Sequence, residues 1–286
     1  MHTSSCLICA GTSLAPTLLR CADVYLGTAF VVDYASCQHC GLVQQNPVPE
    51  ATAAFYPTSY PMHHSRGRMF KFARKLLIRG CYFDPQWSDR DKVLLDFGCG
   101  DGSYLESIQA RVGRRIGFEA APEQARQVAV HLGISATSEH DDRVTVPDAS
   151  VDIVTAHFVI EHLTDLNATF AYWRRVLKPG GRLHVGVPDI DCFEARLFGK
   201  KWHGLDAPRH ISFPGAGNMT MLAQQHGFRL ARRRTGIFPN TWAGSLATIF
   251  TGRFHGKLFL LFMPVGFLLA CLMPQSTAIY ELVKQD

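Results

Sequence analysis

A chain of 286 residues, 47% hydrophobic and 19% charged, has enough apolar surface for a real core. That excludes a globally disordered protein and implies one large domain, or one domain with appendages. Lys and Arg number 29 against 24 Asp and Glu, a formal charge of +5, too mild to argue for nucleic acid by itself; the mean hydropathy of +0.02 is high for a soluble chain and directs attention to a local apolar segment.

The first 50 residues carry five of the nine cysteines. The opening MHTSSCLICA has no basic stretch leading into an apolar one, so no secretory signal is expected, and nine Cys then point to a reducing compartment with metal or free thiols. Cys6-Leu-Ile-Cys9 and Cys37-Gln-His-Cys40, with 27 residues between the pairs, match a tetrahedral four-thiolate zinc site. Gly41 suits a tight knuckle that aims backbone N–H groups at sulfur. A structural zinc on Cys6, Cys9, Cys37 and Cys40 is therefore expected, stabilising a module, residues 1–50, too small to fold on its own core; Cys21 is expected to be a spare.

Residues 51–90 form a Pro/Tyr/His-rich linker and then RGRMFKFARKLLIR (66–79), which holds six Arg or Lys and no acid. On a helix, Met69, Phe72, Ala73, Leu76 and Leu77 share one face, and Arg68, Lys71, Lys75 and Arg79 another. This fits a solvated basic face, or a surface for anionic lipid or RNA.

From 91 to about 236 short apolar runs alternate with helical patterns. VLLDF (93–97) is a buried strand ending at a Gly-rich turn, and SYLESIQARV (103–112) a helix. RRIGFEA (114–120) is a strand, and PEQARQVAVHLG (122–133) a helix with Pro at its start and Gly at its end. VDIVTAHF (151–158) is a strand, and DLNATFAYWRRVLKPGG (165–181) a helix opened by Asp165 and stopped by Pro179. RLHVGVP (182–188) is the next strand. Such alternation implies a parallel sheet covered by helices on both faces.

Strand 93–97 runs into Gly98-Cys99-Gly100-Asp101-Gly102, with Asp96 at its carboxyl end, and Glu119 ends the next strand. Glycines let the backbone approach a ligand at the switch point of the sheet, and an acid ending the second strand suits the two hydroxyls of a ribose. The order of strand, turn, helix, strand and acid points to a nucleoside-type cofactor.

LLDFGCGDG (94–102), GFEAAPEQ (117–124), PDASVDIVTAHFVIEHL (147–163) and RVLKPGGRLHVGVP (175–188) resemble, in order, the signature blocks of class I S-adenosylmethionine-dependent methyltransferases. The resemblance implies a Rossmann-like, seven-stranded, mostly parallel α/β sheet. In it FRLARRRTG (228–236) is the sixth strand and TAIYELVKQ (277–285) the seventh, antiparallel one. It further implies that Asp96, Gly98, Cys99, Gly100 and Gly102 hold the amino-acid part of S-adenosyl-L-methionine, Cys99 as a small packing residue, and that Glu119 and Ala120 meet the ribose. Asp141, in the run His140–Asp142, meets the adenine, and His157 lies at the same edge. DYASCQHCGLVQQNPVP (33–49) is similar to the zinc ribbon that precedes the methyltransferase core in a bacterial branch of small-molecule and sugar-modifying enzymes.

Methyl transfer needs a proton acceptor when the nucleophile is a hydroxyl or amine, and His is the natural one. Of the 13 His, His2, His63 and His64 lie in irregular segments. His157 and His162 flank the loop after strand 151–158. FGKKWHGLDAPRHISFP (198–214) resembles the branch's substrate-side block, with Trp202, Arg209 and His210 as hallmarks. His162 and His210 are therefore the expected catalytic pair and Arg209 an anion clamp, against structural roles for each. HFVIEHL is not the Asn-Pro-Pro-Tyr type that grips a planar amino group, and no Pro-Cys dipeptide at a strand end offers a covalent thiolate.

LFLLFMPVGFLLACLM (258–273) is apolar throughout. As a helix it is about 24 Å long, short of a hydrocarbon core of about 30 Å, with Pro264 and Gly266 interrupting it. Strands on both sides must join one sheet, so a single pass across a membrane is excluded. The segment 237–274 is expected to be a lid over the substrate, an interfacial patch, or the core of an extra helix pair. The functional expectation is methyl transfer to a small-molecule, sugar or lipid-linked acceptor in a cytoplasmic protein with peripheral contact at the inner face of the membrane. An RNA methyltransferase and a non-catalytic binding protein are the rival readings.

Overall fold

The computed structural model describes residues 5–56, 80–137, 146–273 and 276–286. The basic stretch 66–79, the run His140–Asp142 with Asp141, and His2, His63 and His64 lie outside the described residues.

Seven strands form the central sheet: β4 (Val93–Phe97), β5 (Arg114–Phe118), β6 (Ser135–Thr137), β7 (Val151–His157), β8 (Leu177–Pro188), β10 (Phe228–Thr235) and β11 (Thr277–Lys284). Their spatial order is β10-β11-β8-β7-β4-β5-β6. β4 pairs in parallel with β5 on one side and β7 on the other, which makes its carboxyl end the switch point where ligands bind α/β sheets. β11 is antiparallel to both β8 and β10, as expected for the seventh strand. Alternation along the strands divides the core. Leu95 and Val154 face one cluster with Phe170, Trp173 and Leu183, while Leu94 and Ile153 face another with Leu105 and Val128.

The helices follow their sequence signals. α2 (Pro122–Leu132) starts at Pro and closes on Gly133 at φ 61°. α3 (Leu166–Val176) is capped by Asp165, whose side chain accepts from the Ala168 N–H at 2.8 Å, and it buries Leu166, Phe170, Trp173 and Val176. Two boundaries differ from expectation. α1 is only Ser103–Ser107. α3 ends at Val176 rather than Pro179, because Leu177 is already fully buried in β8 opposite Val151, and Pro179 disfavours helical geometry at the residue before it.

Residues 5–56 are bound into the rest of the molecule. β1 (Leu19–Ala22), β2 (Val31–Ser36) and β3 (Val43–Gln45) form an antiparallel sheet whose fourth strand, β9 (Ser212–Phe213), comes from the far side of the chain. Cys6, Ile8, Cys37 and Leu42 share a core cluster with the central sheet. Asn167 Nδ2 donates to the Leu7 carbonyl at 3.0 Å, and Asn218 Nδ2 to that of Cys40 at 2.8 Å.

After α4 (Phe193–Phe198) and α5 (Ala216–Gln225), two helices lie between β10 and β11, α6 (Pro239–Thr251) and α7 (Gly256–Leu272). Pro264 does not interrupt α7; it forgoes one backbone bond within a helix that continues on both sides. Gly266 lets the two helices close, since a Cβ there would lie 2.7 Å from the Pro239 carbonyl oxygen. α6 buries Trp242, Ala243, Ala247 and Thr248, whereas α7 buries only Met263, Gly266 and Ala270. Leu260, Leu261, Val265, Leu268 and Leu272 are exposed, Leu261 at 67%. Among the described residues no helix is long and apolar enough to cross a membrane.

Candidate functional site

The carboxyl end of β4 gathers most of the residues expected to meet a nucleoside cofactor. Asp96 sits opposite Thr155 in the parallel register, and its Oδ1 accepts the Thr155 hydroxyl at 2.7 Å, which fixes a carboxylate that is 3% exposed. The turn that follows needs left-handed backbone. Gly98 has φ 78°, and a Cβ there would come within 2.4 Å of Val159; Gly100 has φ 55°, and a Cβ there would meet nothing within 4 Å. The space above Gly100 is thus open, while the floor below Gly98 is closed. Cys99 is buried against Leu105 and Ala136, a packing residue as expected.

Glu119 follows β5 and reaches back to the turn. Its Oε2 accepts the Gly100 N–H at 2.9 Å and its Oε1 the Ala121 N–H at 3.3 Å. Ala120 lies exposed beside it. His157, the last residue of β7, accepts the Phe83 N–H at Nε2 (3.0 Å). Its buried Nδ1 has no hydrogen bond among the described residues and lies 3.7 Å from Asp96 Oδ1. Tyr82 and Tyr104 flank that ring at 4.6 and 4.8 Å. A fixed carboxylate, an orphaned imidazole nitrogen and an open glycine turn at one end, with a second carboxylate at the other, fit the amino-acid and ribose ends of S-adenosylmethionine.

The second group lies on the adjacent loop. His162 and His210, 48 positions apart in sequence, meet with ring centroids 4.6 Å apart. Burial pushes both down to about 3, with each also repelled by a cationic or imidazole neighbour. They are neutral at physiological pH, which suits lone-pair donation better than strong general-base work. His210 Nδ1 lies 2.9 Å from the Gly204 carbonyl, and His162 Nδ1 lies 3.0 Å from the Arg209 carbonyl and 2.9 Å from the Tyr56 hydroxyl. Burial raises the Tyr56 hydroxyl, and the charges of Asp206, Glu161 and Glu119 add to the rise. Glu161, fully buried, has its carboxyl pushed up to about 8 by burial, with the Asp206 charge adding to the rise.

Arg209 differs from expectation. Its guanidinium is fully buried, donating to Asp23 through Nη1 and Nη2 (3.0 and 2.8 Å) and to Asp206 through Nε and Nη2 (3.0 and 2.8 Å). Two of the chain's own carboxylates already occupy the fork, so it presents no open anion clamp; it ties the loop bearing His210 to the N-terminal sheet. Although burial alone would raise Asp23, this guanidinium and the Leu26 N–H hold its carboxyl below the ordinary value. The same loop is gripped by Gln45 Nε2, which donates to the Pro208 and His210 carbonyls (2.6 and 3.0 Å), and by the Tyr34 hydroxyl, which donates to the His210 carbonyl at 2.7 Å. Sequence reasoning missed Asp23, Tyr34, Gln45, Tyr56 and Asp206; only Asp206, three positions before Arg209, carried a local signal.

The four cysteines converge. One sulfur from each of Cys6, Cys9, Cys37 and Cys40 lies within 4.8 Å of the others, with Cys6 to Cys40 at 3.4 Å and Cys9 to Cys37 at 3.6 Å. A tetrahedral zinc with bonds of about 2.3 Å separates its sulfurs by about 3.8 Å, so the donor set and spacing fit that ion. Burial raises the Cys37 thiol, but the Cys40 and His39 N–H groups outweigh it and bring it to about 7. Gly41, at φ 74°, closes that knuckle, and Cys21 stands apart in another core cluster.

The profile of the family described as "Methyltransferase domain" matches residues 63–232. A ubiquinone biosynthesis O-methyltransferase of Xanthomonas oryzae is 37% identical over 102 residues, covering 33% of this chain and 42% of that protein. A probable S-adenosylmethionine-dependent methyltransferase of Mycolicibacterium smegmatis is 33% identical over 146 residues, covering 48% and 52%. The chain thus spans between 30% and 52% of the length of such curated relatives. Among solved structures, the phosphoethanolamine N-methyltransferase 2 of Haemonchus contortus superposes with a TM-score of 0.52 over 94% of this chain and 71% of that one, at 14% identity, a likeness of fold.

Proposed function

Since the chain belongs to the class I S-adenosylmethionine-dependent methyltransferases, we propose that it methylates a small-molecule, sugar or lipid-linked acceptor. The observation that carries this reading is the pairing of Asp96 and Glu119 around the Gly98–Gly102 turn, at the carboxyl ends of adjacent parallel strands. When bound, S-adenosylmethionine supplies a methyl group made electrophilic by its sulfonium. Asp96, with His157 beside it, would hold the amino-acid end, and Glu119, which accepts from the Gly100 N–H, would take the ribose hydroxyls. Val159 closes the turn beneath Gly98. His162 and His210 accept hydrogen bonds from the acceptor's O–H or N–H and orient its lone pair for in-line attack. Arg209 acts through Asp23 and Asp206 by positioning the His210 loop.

The four cysteines hold a structural zinc, with residues 1–50 as a ribbon module like that of the small-molecule and sugar-modifying branch. Residues 51–90 link it to the core at 91–236, residues 237–274 form a hydrophobic appendage, and 275–286 complete the sheet. The exposed leucines of α7 favour a lipid-linked acceptor. Residues 207–280 contain no Asp or Glu, and Arg253 and Lys257 stand beside the apolar face, which suits peripheral attachment to an anionic membrane at its cytoplasmic side.

Calorimetry with S-adenosylmethionine, followed by transfer of labelled methyl into lipid extracts or aqueous metabolites, tests this reading. Micromolar cofactor binding with label in the lipid fraction is expected. Absence of cofactor binding would overturn it, and label confined to water-soluble products would move the acceptor to that class.

A further inference from the structure

We propose that Glu161, His162 and His210 hold one divalent cation, at a site separate from the four-cysteine cluster. This rests on the reading of His162 and His210 as the acceptor-side pair and gives it a chemical agent. One ligand atom from each of the three residues lies within 4.8 Å of the other two, so a single ion can touch all three. Both Glu161 carboxylate oxygens are buried, and among the described residues neither has a hydrogen-bond partner. A carboxylate withdrawn from water without donors is costly unless a proton or a cation neutralises it.

Backbone carbonyls sit against Nδ1 of both imidazoles. A carbonyl oxygen cannot donate, so the contact between His210 Nδ1 and the Gly204 carbonyl requires Nδ1–H to be the donor, and the lone pair falls on Nε2. The contact between His162 Nδ1 and the Arg209 carbonyl at 3.0 Å favours the same tautomer, with the Tyr56 oxygen 2.9 Å away sharing that N–H. Backbone carbonyls that fix one ring nitrogen and free the other are the usual outer support of a metal-bound histidine.

Charge agrees. The Arg209 guanidinium is set against Asp23 and Asp206, which leaves one negative charge over before Glu161 is counted. Asp206 Oδ2 stands 4.0 Å from His210 Nε2 and extends that field to the site. Two imidazoles and one carboxylate select a first-row dication such as Mn(II), Fe(II), Co(II) or Zn(II) and leave coordination positions for solvent or an acceptor oxygen. For a hydroxyl acceptor, the ion lowers the pKa of the bound oxygen and the proton passes to water. The oxygen then forms its bond to the methyl carbon as the carbon–sulfur bond breaks, and that electron pair stays on sulfur.

The test uses the full chain with its cysteine cluster loaded with zinc, and Mn(II) alone as probe, because manganese competes poorly for thiolates. Electron paramagnetic resonance should count one bound Mn(II) per chain, and electron spin-echo modulation should detect coupled imidazole nitrogen. Glu161→Gln and His210→Asn should each weaken Mn(II) at least tenfold and leave cofactor affinity within twofold. Should one variant not fold, the other decides. No bound Mn(II) in the wild type, or binding indifferent to both substitutions, would overturn the site. Loss of turnover in Glu161→Gln with no metal in any preparation would also overturn it, leaving Glu161 as a partner for the acceptor's own donors. Failure of the methyltransferase reading is a separate result, seen as absent cofactor binding in protein that still holds Mn(II).

Discussion

Arg209 and Asp23 bridge 186 positions of sequence with both side chains fully buried. Replacing Arg209 by Met removes the single cation that neutralises Asp23 and Asp206, so two carboxylates lose their partner at once. Breaking one side of a buried ion pair costs about 3–5 kcal/mol, and the upper part of that range is expected here. Asp23→Asn is expected at about 3 kcal/mol, because Asp206 still faces the guanidinium at 2.8 Å and the side-chain oxygen can still accept the Leu26 N–H, 2.9 Å away in the wild type. The double variant removes both charges together and should be less destabilised than the sum of the singles by about 2 kcal/mol or more. Urea unfolding followed by tryptophan fluorescence measures all three. Acid supplies an independent check. The folded carboxyl of Asp23 lies below its ordinary 3.8, so the unfolded chain binds more protons there; the stabilisation is present above about pH 4 and is lost as pH falls through the folded value. Asp23→Asn should abolish that part of the acid sensitivity. Single variants within about 0.5 kcal/mol of wild type, or strict additivity, would refute the pair's role as the tie between the N-terminal sheet and the His210 loop.

Glu119→Ala should weaken S-adenosylmethionine by about 2 kcal/mol, roughly thirtyfold in Kd by calorimetry; unchanged affinity would remove Glu119 from the cofactor site. Glu194 is 2% exposed and accepts from Trp202 Nε1 and the Thr241 hydroxyl, and burial raises its carboxyl from 4.5 to about 7. The folded chain then binds the extra proton, so this stabilisation, about 3 kcal/mol, is complete below pH 4.5 and lost as pH rises through 7; Glu194→Gln should flatten the slope between pH 5 and 8. Cobalt in place of zinc should give a thiolate charge-transfer band in the wild type that Cys37→Ser diminishes, and a chain without that band would carry no four-cysteine centre. Leu261→Glu with Leu268→Glu should cut recovery on anionic liposomes at least tenfold and leave cofactor binding intact, since each leucine withdrawn from an acyl boundary is worth about 1.5–3 kcal/mol; wild-type protein that ignores liposomes would assign the α7 face to a lid or to another protein surface.

What the sequence legibly carries is local. The period of VDIVTAHF, the cap at Asp165, the Pro and Gly that bracket α2, and the left-handed glycines after Phe97 all state backbone preferences within a few residues, and the strands and the cofactor turn follow from them. Paired cysteines two residues apart likewise declare one knuckle each, because the geometry of a knuckle is set by neighbouring peptides. Length and hydropathy near 258–273 announce an apolar helix without saying what covers it.

Tertiary structure alone decided the rest. A two-residue strand at Ser212–Phe213 has no period to read, and it exists because β3 supplies its partner from residues 43 to 45. Arg209 reads as a free anion clamp until Asp23 arrives from the other end of the chain, and burial then turns a binding residue into a strut. His162 and His210 become a pair, and Glu161 a carboxylate without donors, only when the loops after β7 and before β9 meet. Proton affinity and charge balance depend on desolvation and on neighbours distant in sequence, so the residue types could be named from the chain while their states were set by the fold.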